Sequence, residues 1–281
     1  MSHTAITSVD HLAQAAIEAF AKRQEVQEIF AFGSYPQGCH DRYSDIDLQV
    51  MTDHYALSLR DLVATVQDIG EPLVIFPLFS QAEQAAFTIL FRTYPLYQKL
   101  DLGVQQATIP MPFAGATSVY RRELSADRIA MAQKPCSEMD GMTTFSPRVR
   151  LFYDRFLGAT RYTKYRKRHQ PLTAYKFYRS LLSSFLIDAY SQLTEKAISE
   201  SELGLLEYQA LDRAADAAVV KYLYPGDDRH MNVLVVEMLS QMLTQARSQI
   251  EPLHAENLSV ILQFVAQELD VPFAVTHSSS W

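Results

Sequence analysis

Hydrophobic residues first recur at helical spacing over residues 8–23, where Val9, Leu12, Ala16 and Phe20 fall on one face. An apolar strand follows at 26–32 and stops at Gly33. Residues 35–44 (YPQGCHDRYS) are polar, with Pro36 and Gly38 as punctuation, and predict a loop. A second strand is predicted at 46–51, then a helix over about 56–68 that Gly70 ends. Apolar runs at 73–78 and 86–91 come next. Arg92-Thr93-Tyr94-Pro95 predicts a hairpin turn, and 96–104 reads as the returning strand. The first hundred residues are thus mixed α/β.

Neither period holds over residues 105–145, which carry Pro110, Pro112, Gly115, Pro135 and Gly141 and predict a connector with one short helix. From Ser146 onward the spacing is helical. Ser146 suits an N-cap with Pro147 at the first helical position. Val149, Phe152, Phe156, Ala159 and Tyr162 carry this helix to about residue 168. Further helices are predicted at 171–193, 202–223, 228–247 and 258–269, with Pro225-Gly226 and Pro272 as breaks. The expected fold class is α+β: a mixed sheet flanked by helices over 1–110, a connector over 111–146, and a C-terminal helical bundle over 147–275.

Composition adds limits rather than identity. The chain has 281 residues, 48% hydrophobic and 20% charged, as a folded domain should. No apolar run approaches the roughly 20 residues needed to cross a bilayer. The N-terminus lacks the basic flank and apolar core of a signal peptide. With only Cys39 and Cys136, a reducing cytoplasm is the expected location and a disulfide scaffold is not. A net charge of −7 argues against general coating of nucleic acid. Nine glycines form no Walker loop and no dinucleotide-binding pattern.

The chemistry concentrates at the first two strands. Gly33-Ser34 ends an apolar strand, so backbone N–H groups and a hydroxyl can approach an anion closely. Ten residues later stands Asp45-Ile46-Asp47. Side chains alternate along a strand, so the two acids share a face. Ile46, Leu48 and Val50 make the opposite face apolar, and the acids are presented by a packed element. Two carboxylates this close need a hard divalent cation or a shared proton between them. A third acid in apolar company, Asp101, follows 54 residues after Asp47. Were its strand the neighbour, three carboxylates would converge, which favours the cation.

These residues resemble the signature of the DNA polymerase β-like nucleotidyltransferase superfamily, over roughly residues 26–104. The hairpin AFTILFRTYPLYQKLDLGV is similar to the stretch that delivers the third carboxylate in antibiotic-modifying members. Size and a helical second half are similar to aminoglycoside and lincosamide nucleotidyltransferases. The resemblance implies that residues 1–110 are the catalytic domain and that the bundle lines the acceptor side. It implies that Asp45 and Asp47 hold Mg²⁺, in all two ions, against the triphosphate of ATP. Gly33 and Ser34 would contact its phosphates. Asp101 would ligate metal, act as base for the acceptor hydroxyl, or both. The product would be an AMP ester of a small-molecule hydroxyl, with pyrophosphate leaving. A protein or RNA acceptor stays open, as does a non-catalytic, antitoxin-like nucleotide-binding module. Family analogy also allows a homodimer.

Charge in the bundle is uneven. Residues 146–180 hold ten Lys or Arg against Asp154 alone, and 185–217 hold seven acids against Lys196 and Arg213. A basic wall for phosphate and an acidic surface for a cationic acceptor is one reading; two solvated faces is the other. Lys164 and Lys176, among Tyr162, Tyr165, Tyr175 and Tyr178, are the best phosphate candidates, with Arg42 in the loop before the acid pair. Cys39 lacks a nucleophile's partners, and His40 and His54 lack zinc spacing. Arg229-His230 reads as a surface helix start.

Overall fold

In the computed structural model, residues 8–111, 115–123, 145–194, 222 and 225–273 are described, and within 188–194 only the backbone is. The chain divides into two compact units, Met1–Phe145 and Ser146–Trp281. The fold is α+β, a mixed sheet with helices followed by a helical unit.

In the first unit, helix α1 (Val9–Ala21) begins where the Ser8 hydroxyl accepts the His11 N–H at 3.1 Å. It buries the predicted face, Val9, Leu12, Ala16 and Phe20. Strand β1 (Val26–Phe32) leads into Gly33, and β2 (Ile46–Thr52) returns antiparallel beside it. Helices α2 (Tyr55–Arg60) and α3 (Leu62–Ile69) come next, then β3 (Pro72–Ser80), β4 (Gln84–Phe91), β5 (Leu100–Gln106) and β6 (Thr117–Arg121). The sheet order is β3-β4-β5-β2-β1-β6. Among the described strands only β2 and β5 run parallel, because helices and a hairpin intervene between them. They also lie in the middle, so Ile46, Leu48 and Val50 bury with Leu100, Leu102 and Val104 against the helices in one core. At roughly 1.5–3 kcal/mol for each such side chain, this layer supplies much of the unit's stability.

Three expectations change. The helix predicted at 56–68 is two helices, broken at Asp61, whose carboxylate is held by Arg60 at 2.9 Å and by Arg23. These partners keep the Asp61 carboxyl below its usual range, chiefly through the Arg60 hydrogen bond. The returning strand starts at Leu100 rather than at residue 96: Tyr94 and Leu96 are apolar because they are buried in the turn-rich link, not because they are paired. Finally, part of the unpatterned stretch 105–145 is strand β6, paired antiparallel with β1. The short helix expected there is not among the described residues. A five-residue edge strand, half-exposed, leaves no clean alternation to read. Arg122 fixes this edge by donating to the carbonyls of Ala21, Arg23 and Val26 at 2.9–3.0 Å.

The second unit contains α4 (Pro147–Lys167), α5 (Pro171–Thr194), α6 (Asp228–Arg247) and α7 (Pro252–Glu268). Ser146 caps α4 as its sequence predicts, accepting from the Val149 N–H at 3.3 Å. Helix α4 is buried on most sides, including Tyr153, Phe156 and Tyr162. Its tyrosines are tied in: Tyr162 donates to Asn232 Oδ1 at 2.7 Å, and the Tyr153 hydroxyl meets His254 Nδ1 at 3.3 Å. Helix α7 starts at Pro252, six residues before the predicted start, since a proline at the first position favours initiation. The helix predicted at 202–223 lies outside the described residues except for the buried Tyr222. Among the described residues no helix is long and apolar enough to cross a membrane.

Candidate active site

The site begins with strand register. In the central ladder Asp47 stands beside Asp101, and across the next pair Asp101 stands beside Thr88. Residues aligned in this way share a face of the sheet, the one opposite the apolar Ile46, Leu48 and Leu102. The ladder opens with the Ile46 N–H donating to the Lys99 carbonyl at 2.9 Å, which sets Asp45 next to Lys99. Two short motifs, Asp-Ile-Asp and Lys-Leu-Asp, therefore lie side by side.

Their side chains interact. The Lys99 ammonium lies 3.3 Å from Asp45 Oδ2 and pairs with Asp101 Oδ2. Thr88 donates its hydroxyl proton to Asp101 Oδ1 at 2.6 Å. The Lys99 side chain is only 5% exposed, against 27% for Asp45 and 25% for Asp101. Taking an ammonium out of water costs several kcal/mol unless anions compensate, so this lysine sits where it does because the carboxylates are there. Three carboxylates and one ammonium leave a formal surplus of two negative charges at the rim of the sheet.

Above the acids runs the loop after β1. Gly33 has φ +75°, a conformation that disfavours any side chain, and a Cβ there would come within 2.7 Å of Asp47 Oδ2. The glycine thus lets backbone pass directly over the carboxylate. The loop is closed on itself. Cys39 N–H donates to the Ser34 carbonyl at 3.2 Å, and the Ser34 hydroxyl lies 3.4 Å from that of the buried Ser44. Ser44 in turn donates to Asp41 Oδ1 at 3.1 Å, which also accepts the Tyr43 N–H at 3.0 Å. Gln98 ties the loop to the link before β5 by donating to the Arg42 carbonyl at 2.6 Å.

Residues 14–99 match the family model Polymerase beta, Nucleotidyltransferase. The matched residues, within the first unit, form a nucleotidyltransferase domain of the polymerase β type. Comparison with the curated proteins gives no match. Among solved structures, the chain is similar to a STING-associated CdnE c-di-GMP synthase from Capnocytophaga granulosa, at 14% identity and a TM-score of 0.24. That alignment covers 93% of this chain and 80% of the other. A nucleotidyltransferase-like protein from Exiguobacterium sibiricum 255-15 aligns at 12% identity and a TM-score of 0.19, over 92% and 74% of the two chains. Likenesses this remote bear on neither substrate nor mechanism.

Within the first unit, Gly33, Ser34, Asp45, Asp47 and Asp101 come together at one end of the sheet. Arg42 is at the loop's outer side, its guanidinium 4.8 Å from the Tyr43 ring centroid. Lys164 is buried on α4 and Lys176 exposed on α5, both in the second unit. The acids expected at 185–217 fall outside the described residues, Asp188 by its side chain. Sequence reasoning missed Lys99 and Thr88. Lys99 was legible by the same i, i+2 alternation that linked Asp45 to Asp47; Thr88 required the β4–β5 register.

The residues suit a divalent metal. Their donors are hard oxygens on adjacent, packed strands, and a cation already stands among them in the form of the Lys99 ammonium. Among the described residues no group of three or more His, Cys, Asp or Glu side chains is arranged to hold an ion as it stands. Closing around a metal would require Asp101 Oδ2 to exchange its partner, which is a side-chain movement and not a refolding.

Proposed function

We propose that the chain is a Mg²⁺-dependent nucleotidyltransferase that moves AMP from ATP to a hydroxyl of a small molecule and releases pyrophosphate. One observation carries this reading: Asp47 and Asp101 stand in register on neighbouring strands, beneath a glycine turn that clears the Asp47 carboxylate. Asp45, Asp47 and Asp101 would hold the metal. Bound Mg²⁺ would supply charge neutralisation for the triphosphate and the departing pyrophosphate. The turn at Gly33-Ser34 offers backbone N–H groups and a hydroxyl to phosphate oxygens. The Thr88 hydrogen bond orients Asp101, whose carboxylate would take the proton of an incoming hydroxyl. The rigid sheet holds these groups without cost at the moment of reaction.

Aminoglycoside- or lincosamide-like compounds are the first acceptors to test, on the motif resemblance alone. The test is Mg²⁺-dependent release of pyrophosphate from ATP over a panel of aminoglycosides, lincosamides, nucleotide ribose hydroxyls, an RNA 3′ end and a protein acceptor. Wild type should turn over one of these, and folded Asp47→Asn should lose at least a hundredfold in rate. No turnover on any acceptor, together with no Mg²⁺-dependent binding of ATP, would refute the reading.

A further inference from the structure

Lys99 has no part in the chemistry above, yet it makes the closest contacts with the acids. Its backbone carbonyl is fixed in the ladder by the Ile46 N–H, so only its side chain can move. Its ammonium touches Asp101 Oδ2 and lies 3.3 Å from Asp45 Oδ2, with 5% of the side chain exposed. Thr88 holds the second oxygen of Asp101. Every oxygen that Asp101 could give to a metal is therefore already engaged, and the oxygen facing Asp45 is engaged by a cation.

We propose that Lys99 is an internal counter-ion: it relieves the repulsion of the acids in the metal-free protein, and a divalent cation binds by displacing its ammonium from Asp101. This rests on the nucleotidyltransferase reading of the site, since it takes the acids to be the metal's ligands. Two physical consequences follow. Metal binding by the free protein is weaker than the acids alone would give, because each binding event must break a buried ion pair. The lysine is also a stabiliser of the metal-free fold, so removing it shifts a part of that role to the metal.

The experiment uses the full chain without nucleotide and Mn²⁺ as the probe, its binding followed by electron paramagnetic resonance. Lys99→Gln and Lys99→Met should bind Mn²⁺ about tenfold more tightly than wild type, equivalent to about 1.4 kcal/mol. Lys99→Arg, which keeps the charge, should stay within about threefold. In the absence of metal both neutral variants should melt below wild type, and Mn²⁺ should raise their melting temperature by more than it raises that of wild type. Asp47→Asn marks the site by abolishing this binding, leaving the free Mn²⁺ signal at full strength. Binding by wild type that is lost in Asp47→Asn but not tightened in either neutral variant would overturn the counter-ion and leave the nucleotidyltransferase reading intact. Absence of Asp47-dependent Mn²⁺ binding in all proteins would overturn both. Should the neutral variants fail to fold, wild type alone decides: labelling of Lys99 by an amine-acetylating reagent should rise severalfold at saturating Mn²⁺, and unchanged labelling refutes the displacement.

Discussion

Gly33→Ala tests the geometry of the site most directly. Two costs are built into that position. The first is conformational: an L-residue at φ +75° loses about 1–2 kcal/mol relative to glycine. The second is spatial. A Cβ would sit 2.7 Å from Asp47 Oδ2, where ordinary contact begins near 3.4 Å, so the carboxylate must retreat by about 0.7 Å. Misplacing a reacting group by about 1 Å can cost about 100-fold in rate, so a loss between about 10- and 100-fold is expected here. Gly38→Ala separates the two costs. Gly38 has φ +64°, and nothing lies within 4 Å of its hypothetical Cβ. Urea unfolding should therefore show similar destabilisation in the two variants, about 1–2 kcal/mol. Pyrophosphate release should fall only in Gly33→Ala. Equal loss in both, or full activity in Gly33→Ala, would refute the claim that the glycine exists to clear Asp47.

Two further predictions concern stability. Burial pushes the Tyr153 hydroxyl up to about 12, and it raises Tyr162 and Tyr178 in the same direction. Above pH 10 the unfolded chain releases these protons first and the folded chain retains them, so stability falls as pH rises from 10 through 12. Tyr153 alone accounts for roughly 2–3 kcal/mol of that loss; melting temperature against pH should have a shallower alkaline slope in Tyr153→Phe, and an unchanged slope counts against the burial argument. Arg122→Ala removes donors from three backbone carbonyls and should destabilise by about 2 kcal/mol in urea, while pyrophosphate release per folded molecule stays at the wild-type rate.

Local periodicity carried the elements well where they were amphipathic or deeply buried. The face of α1, the strand β1, the Ser146 cap and the start of α6 at Asp228 all follow from spacing, capping and breakers. It failed where a partner far along the chain decided the outcome. Asp61 breaks a helix beside two arginines, one of them just beyond α1, and β6 is a strand only because β1 lends it an edge. The site divides the same way. That Asp45 and Asp47 share a face is a property of any extended chain, and the sequence alone determines it. That Asp101 joins them, with Lys99 just ahead of its own strand and beside Asp45, and that Thr88 holds it, was decided by the registers of β5 against β2 and β4. Register is a contest among long-range pairings, settled by burying one apolar face of the whole sheet, and no single stretch of sequence contains it.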